Sequence, residues 1–172
     1  MKKLLFVCLV SAIVSGCTNP SEKTSSTDYP SNAVGYNLDS SANIDLVKKM
    51  VHAFEATDSI TYRSCYSDSA KFHDNGRDLP LSENLGTFSY FKSNGVTLKV
   101  EKVDPIWEVV NKEAAADGVT NYVISFQHLI IKKGDKEVKV IMNVVNGMKD
   151  GKIVEEWGLY DSKPIFDLIA QK

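Results

Sequence analysis

The feature that most constrains this chain is Asp150-Gly151, set between two runs of strand-forming residues, Val138–Val145 and Lys152–Tyr160. A two-residue type I′ turn needs positive φ at both central positions, and Asp-Gly supplies that at little steric cost. The segment therefore predicts a β-hairpin. Similar punctuation recurs upstream, where Gly134-Asp135 separates Val119–Lys132 from Glu137–Asn146 and Asp117-Gly118 precedes that pair. Before it, Thr97–Glu113 is one long run with period two. It should bend or bulge at Asp104-Pro105, since proline cannot donate to a sheet ladder. Four consecutive antiparallel strands follow from this pattern.

The first half of the fold has a different period. Ile44, Val47, Met50, Val51 and Phe54 recur at the spacing of one helical face, so a helix is expected from Ile44 to about Thr57, capped by Asn43. Asp58 or Ser59 can cap a second, shorter helix through Tyr66, with Ile60, Tyr62 and Cys65 as its apolar positions. Ser69–His73 reads as a short strand closed by Asp74-Asn75-Gly76. Pro80 breaks the chain, and Ser82 can cap a third helix with Leu85, Phe88 and Phe91 inward and Asn94-Gly95 as its stop. A last helix is expected over Pro164–Ala170, with Ile165, Leu168 and Ile169 facing in. Helices followed by long antiparallel strands define an α+β domain, a concave, curved antiparallel sheet covered by the N-terminal helices. The space between sheet and helices becomes core or pocket according to side-chain volume.

The N-terminus has another character. Lys2 and Lys3 precede an apolar run, Leu4–Val14, too short to span a bilayer's ~30 Å hydrocarbon core. Val14-Ser15-Gly16-Cys17 resembles the cleavage box of bacterial lipoprotein signals. The resemblance implies removal of residues 1–16, acylation of Cys17, and a protein lipid-anchored in a bacterial cell envelope. A plain secretory signal with an incidental cysteine is the alternative. Residues 17–42 are rich in Ser, Thr, Asn, Pro and Gly and cannot offset the entropy of ordering, so a flexible tether is expected there. Tyr29 and Tyr36 are its residues able to dock on the domain, taken as 43–172. With Cys8 in the signal and Cys17 acylated, Cys65 has no disulfide partner, and a small buried hydrophobe is the expected role. A net charge of −2 argues against nucleic acid as a partner. His52, His73 and His128 lie on separate elements without metal-ligand spacing, so no metal or cofactor is expected.

Several polar residues fall at sites of chemical interest. In the run beginning at Val119, the bulkier alternate set, Tyr122, Ile124, Phe126, His128 and Ile130, is expected on the inner face. His128 is then a pocket group or a satisfied core histidine. Asn143 shares a face with Ile141 and Val145 and either braces the fold or floors a polar pocket. Asp74, at the head of Asp74-Asn75-Gly76, is a candidate turn cap. Trp107 and Trp157 line a pocket, fill core, or pair subunits. Glu155-Glu156 reads as a solvated strand face.

This order of elements, with the ending Asp150-Gly151-Lys152-Ile153-Val154, resembles the nuclear transport factor two-like superfamily, which includes ketosteroid isomerases and SnoaL-type polyketide cyclases. The resemblance runs from about Ile44 to Lys172. It implies a cone-shaped pocket for a small apolar molecule or a partner, and a homodimer through the outer sheet face. Tyr62, Phe72, Trp107, Phe126, His128, Trp157 and Tyr160 are the expected pocket-lining residues. Tyr66–Asp74 (YSDSAKFHD) is similar to the ketosteroid isomerase segment ending in the general base, which implies Asp74 as base. The family's oxyanion-binding acid falls on Asn143, whose amide can donate a hydrogen bond. The family's tyrosine donor falls on Met50, which cannot donate, leaving Tyr62 or Tyr160 to substitute. A small-molecule pocket is thus the leading expectation, with proton transfer on a carbonyl compound as its rival.

Overall fold

The computed structural model describes residues 35–170. The expected signal segment 1–16, Cys17, Tyr29 and the part of the expected tether up to residue 34 lie outside them. The chain runs β1 (Gly35–Leu38), α1 (Ala42–Glu55), α2 (Ser59–Ser64), β2 (Tyr66–Asp74), β3 (Arg77–Pro80), α3 (Leu81–Ser93), β4 (Val96–Asn111), β5 (Asn121–Lys133), β6 (Lys136–Lys149), β7 (Lys152–Leu159) and α4 (Lys163–Ala170). The seven strands form one curved, unclosed sheet in the order β1-β4-β5-β6-β7-β2-β3. Neighbouring strands are antiparallel except β2 and β7, which run parallel.

The hairpin that anchored the sequence reading is present. Asp150 and Gly151 have φ of 51° and 68°, and Lys149 pairs with Lys152 across them. The same device joins β2 to β3, with Asn75 and Gly76 at φ of 49° and 83°. The turn was expected, but strand β3 beyond it was not. β4 shifts register between Val103 and Ile106, at the cis Asp104-Pro105 bond, where the missing amide hydrogen interrupts the ladder.

Two helix starts and one helix end differ from expectation. Ser41, rather than Asn43, caps α1, its hydroxyl accepting from the Ile44 amide at 3.0 Å. Asn43 is released to reach β4 instead, donating to Glu108 Oε1 at 2.7 Å. α2 is capped by Asp58 as one alternative had it, but it ends at Ser64, and Ile60 is 83% exposed rather than inward. α3 starts one residue after Pro80 with no side-chain cap, so Ser82 lies inside it. The fixed φ of proline already sets the entry there.

Part of the stretch expected as tether is a strand instead. Gly35–Leu38 pairs antiparallel with Glu108–Asn111 on the edge of β4, satisfying backbone groups that water would otherwise hold. Gly35 permits this pairing, since a Cβ there would lie 2.1 Å from the Val110 carbonyl oxygen. Tyr36 belongs to this strand and is 40% exposed.

Helices α1, α2 and α3 cover the inner face of the sheet. Ile44, Val47, Met50 and Val51 of α1 pack there with Tyr62, Tyr66, Phe72, Phe88, Val123 and Ile153. Cys65, fully buried at the end of α2, takes the small-hydrophobe place expected of it. A second cluster, built on Val96, Ile131, Val140 and Leu168, seats α4 against the far end of the sheet with Ile165 and Ile169 inward.

Candidate functional site

A cavity of about 140 Å³ lies between the inner sheet face and the helices. An apolar cavity of similar size, about 150 Å³, holds benzene. Its walls are Met50, Val51 and Phe54 of α1, Thr87 and Phe91 of α3, Leu98 of β4, Leu129 and Ile131 of β5, Met142 and Val144 of β6, and Ile165 of α4. Polar residues at its lining are Asp74, Glu156, Tyr62, Tyr160, Gln127, Asn84 and Thr87, with His73 at its border.

Strand register explains the polar set. Directly opposed residues on neighbouring strands share a face. Leu38, Glu108, Val123, Asn146, Glu156, Phe72 and Leu79 therefore form one row across the inner face. In the next row Ser125 and Val144 lead to Gly158 and Asp74. Asp74 and Glu156 thus enter the cavity from adjacent strands, one row apart. Gly158 adds no side chain between them.

Glu156 is the most perturbed carboxyl of the site. Part of its surface stays accessible because it borders the cavity, while the surrounding protein keeps bulk water away. Burial pushes its pKa up to about 7, and the nearby charge of Asp74 pushes the same way against the hydrogen bond from Tyr66. Tyr66 Oη lies 2.7 Å from Glu156 Oε2 and 3.0 Å from Tyr62 Oη. A phenol has one hydrogen. Against an ionised carboxylate, Tyr66 donates to Glu156 and accepts from Tyr62, giving a chain from the cavity wall to the carboxyl. Burial, with the Glu156 charge, holds both phenols well above their usual range, so both stay protonated. Tyr160 is bonded to Asp74 on the other side, and its phenol is raised by burial and by that carboxylate.

Of the expected pocket residues, the structure brings Tyr62, Phe72, Tyr160 and Asp74 to the cavity and leaves the others elsewhere. The expected inner face of β5 is the outer one, for the buried set is Val123, Ser125, Gln127, Leu129 and Ile131. Narrow residues fit beneath α1, and the bulkier set covers the outer face. Trp107 therefore stacks on Phe126 at 6.3 Å on that outer face, and Asn143 pairs with Phe126 there, away from the cavity. His128 bonds the Asp104 carbonyl oxygen at 3.2 Å. Trp157 stacks on His73 at 5.3 Å, also outside. An oxyanion role for Asn143 would need a face it does not present. Met50, the position that cannot donate, does line the cavity.

Glu156, read with Glu155 as a solvated strand face, faces the cavity instead, and Tyr66, Gln127 and Asn84 were given no site role from the sequence. A signal for Glu156 was present: adjacent strand residues point to opposite faces, so one of Glu155 and Glu156 had to face inward. Glu155 takes the outer side, where its carboxylate bonds His73 Nε2 at 2.7 Å. Among the described residues, no group of three or more His, Cys, Asp and Glu side chains is placed to hold a metal ion.

A curved mixed sheet, covered on its inner face and hollowed beneath the first helix, defines an α+β cone. The chain has the nuclear transport factor two-like fold that its sequence resembles, the fold of SnoaL-like polyketide cyclases. A putative polyketide cyclase from Silicibacter sp. TM1040 superposes with a TM-score of 0.57 at 15% identity, over 78% of this chain and 99% of that one. An epoxide hydrolase from M. tuberculosis gives 0.56 at 18% identity, over 74% and 89%. Wild-type IdmH, a putative polyketide cyclase from Streptomyces antibioticus, gives 0.55 at 15% identity, over 75% and 99%. At these identities the likeness is one of fold. No protein-family model and no curated protein matches the sequence.

Proposed function

We propose that the protein binds a small, mainly apolar molecule in the cavity beneath α1. The observation that carries this reading is a hollow of about 140 Å³, walled by aliphatic and aromatic side chains and supplied with a few convergent polar groups. The volume suits one ring with a short arm, so a larger ligand would need the cavity to widen or would extend out of it. Val144→Phe fills the hollow from its floor. Calorimetric titration with single-ring compounds should show binding to the native protein and at least a tenfold loss in Val144→Phe, with the circular dichroism spectrum unchanged. Equal binding by both proteins would place the ligand elsewhere.

A second reading, proton transfer on a carbonyl compound, is favoured by one observation, the Glu156 carboxyl poised at about 7 beside Asp74. In this reading Asp74 and Glu156 exchange the proton, and Tyr62 or Tyr160 takes the oxyanion role that Asn143 cannot. Deuterium exchange at the carbon beside the carbonyl of small cyclic ketones, followed by NMR, should be accelerated by the native protein and not by Glu156→Gln. Acceleration retained in Glu156→Gln would remove that carboxyl from the reaction.

We further propose that acylated Cys17 holds the domain at a bacterial envelope membrane. Cys17→Ala should release the full chain from membranes on fractionation. For the outer sheet face, where Ile141 and Leu159 are 55% and 60% exposed, we propose pairing with a second copy. Ile141→Glu should then lower the sedimentation coefficient.

A further inference from the structure

We propose that the ligand of this cavity is a cation, a small apolar amine whose ammonium group sits between Asp74 and Glu156 while its hydrocarbon body lies against the aromatic wall. This rests on the cavity being a ligand site, as argued above, and adds the charge of what enters it.

Among the described residues, two carboxyl groups line the cavity, and no lysine or arginine does. His73 also borders the cavity, but its imidazole is turned to the outer face. There Asp78 and Glu155 hold it at 2.6 and 2.7 Å, and Trp157 stacks against it, so its charge is already matched. One cation comes near, Arg77 of β3, opposed to Asp74 and acting on Tyr160, but its guanidinium is 67% exposed and pairs with Glu83 at 3.5 Å. The other groups facing Glu156 from the packed elements are neutral or acidic. They are Tyr66 and Asp74 from β2, Tyr62 from α2 and Tyr160 after β7, with only Asn84 and Thr87 from α3 and apolar side chains from α1.

A buried carboxylate is ordinarily paired with a cation, because the charge otherwise loses hydration without compensation. Among the described residues, Glu156 has one phenol hydrogen bond and no cation partner. An anionic ligand would add a third negative charge in a poorly hydrated space, and a neutral one would leave the deficit as it is. An ammonium group supplies the missing counter-charge and the hydrogen-bond donors that two carboxylates can accept. The rings of Phe91, Phe54 and Tyr62 form a continuous wall, with neighbouring centroids 6.1 and 5.8 Å apart, and aromatic faces attract cations.

The test is calorimetric titration of the intact domain with benzylamine, benzyl alcohol and benzoate, three single-ring probes that differ mainly in charge. At about pH 8, benzylamine should bind at least tenfold more tightly than benzyl alcohol, with benzoate weakest. Below about pH 7 benzylamine affinity should fall by up to tenfold per pH unit, as the carboxyl takes up a proton that the ammonium must displace. Glu156→Gln should cut the benzylamine preference at least fivefold. Should that variant fail to fold, the pH series and the proton released on binding, read in two buffers, carry the same test on the native protein. If benzyl alcohol binds as well as benzylamine, the charge assignment is wrong and the pocket stands. If none of the three binds, the pocket reading falls with it.

Discussion

The Tyr66 hydroxyl meets the Glu156 carboxylate at 2.7 Å, joining the first residue of β2 to the inner face of β7. The contact ties a parallel strand pair together on the side that faces the cavity. It is also the main local stabilisation of a carboxylate that burial otherwise penalises, and the net result is a carboxyl that titrates near neutrality.

Stability should therefore fall as pH rises through this titration. The Glu156 pKa is raised from 4.5 to about 7 on folding. Between those values the native state holds a proton that the unfolded state has released, so the slope of unfolding free energy against pH is negative. The shift corresponds to roughly 3 kcal/mol, lost between about pH 4.5 and 7. Glu156→Gln, which cannot ionise, should match the native protein at about pH 4.5 and exceed it at about pH 8. Urea denaturation at the two pH values checks this.

His73 should titrate above its usual value. Burial pulls the imidazole down, but the hydrogen bonds to Glu155 and Asp78 outweigh it, and both ring nitrogens face carboxylates, which favours the doubly protonated ring. The clasp contributes most below the unfolded pKa of 6.5 and is lost as pH rises through the folded value. An NMR titration of the ring should give a higher pKa than in Asp78→Asn or Glu155→Gln.

Asn43→Ala should destabilise the domain even though Ser41 still caps α1. The Asn43 amide reaches Glu108 Oε1, which is buried at 1% exposure and is also bonded by Asn121. Removing one donor from a buried carboxylate costs about 1.5–3 kcal/mol. Denaturant midpoints of Asn43→Ala and Ser41→Ala separate the brace from the cap.

Gly151→Val should cost about 1–3 kcal/mol without any clash. A Cβ at Gly151 would meet nothing within 4 Å, so the whole effect comes from holding a β-branched residue at φ of 68°. Thermal denaturation should register it, and Asp150→Asn, which tolerates the same backbone region, should leave the midpoint nearly unchanged.

What the chain's own pattern determined was everything set by near neighbours. The Asp150-Gly151 and Asn75-Gly76 turns need only local backbone chemistry, and the helical and strand periods follow from which side chains repeat. These were enough to place the four long strands, the helices and the cone they enclose. Which side of β5 faces inward was a tertiary decision. Alternation declares two faces but not their direction, and the space beneath α1 admitted Val123 and Ser125 rather than the larger Ile124 and Phe126. That choice took Asn143, His128, Trp107 and Phe126 out of the cavity together. Glu156 entered it because β7 lies parallel to β2 and opposes Glu156 to Phe72, a pairing between residues distant in sequence. β1 formed for the same reason, since only the finished edge of β4 could accept residues that look like tether.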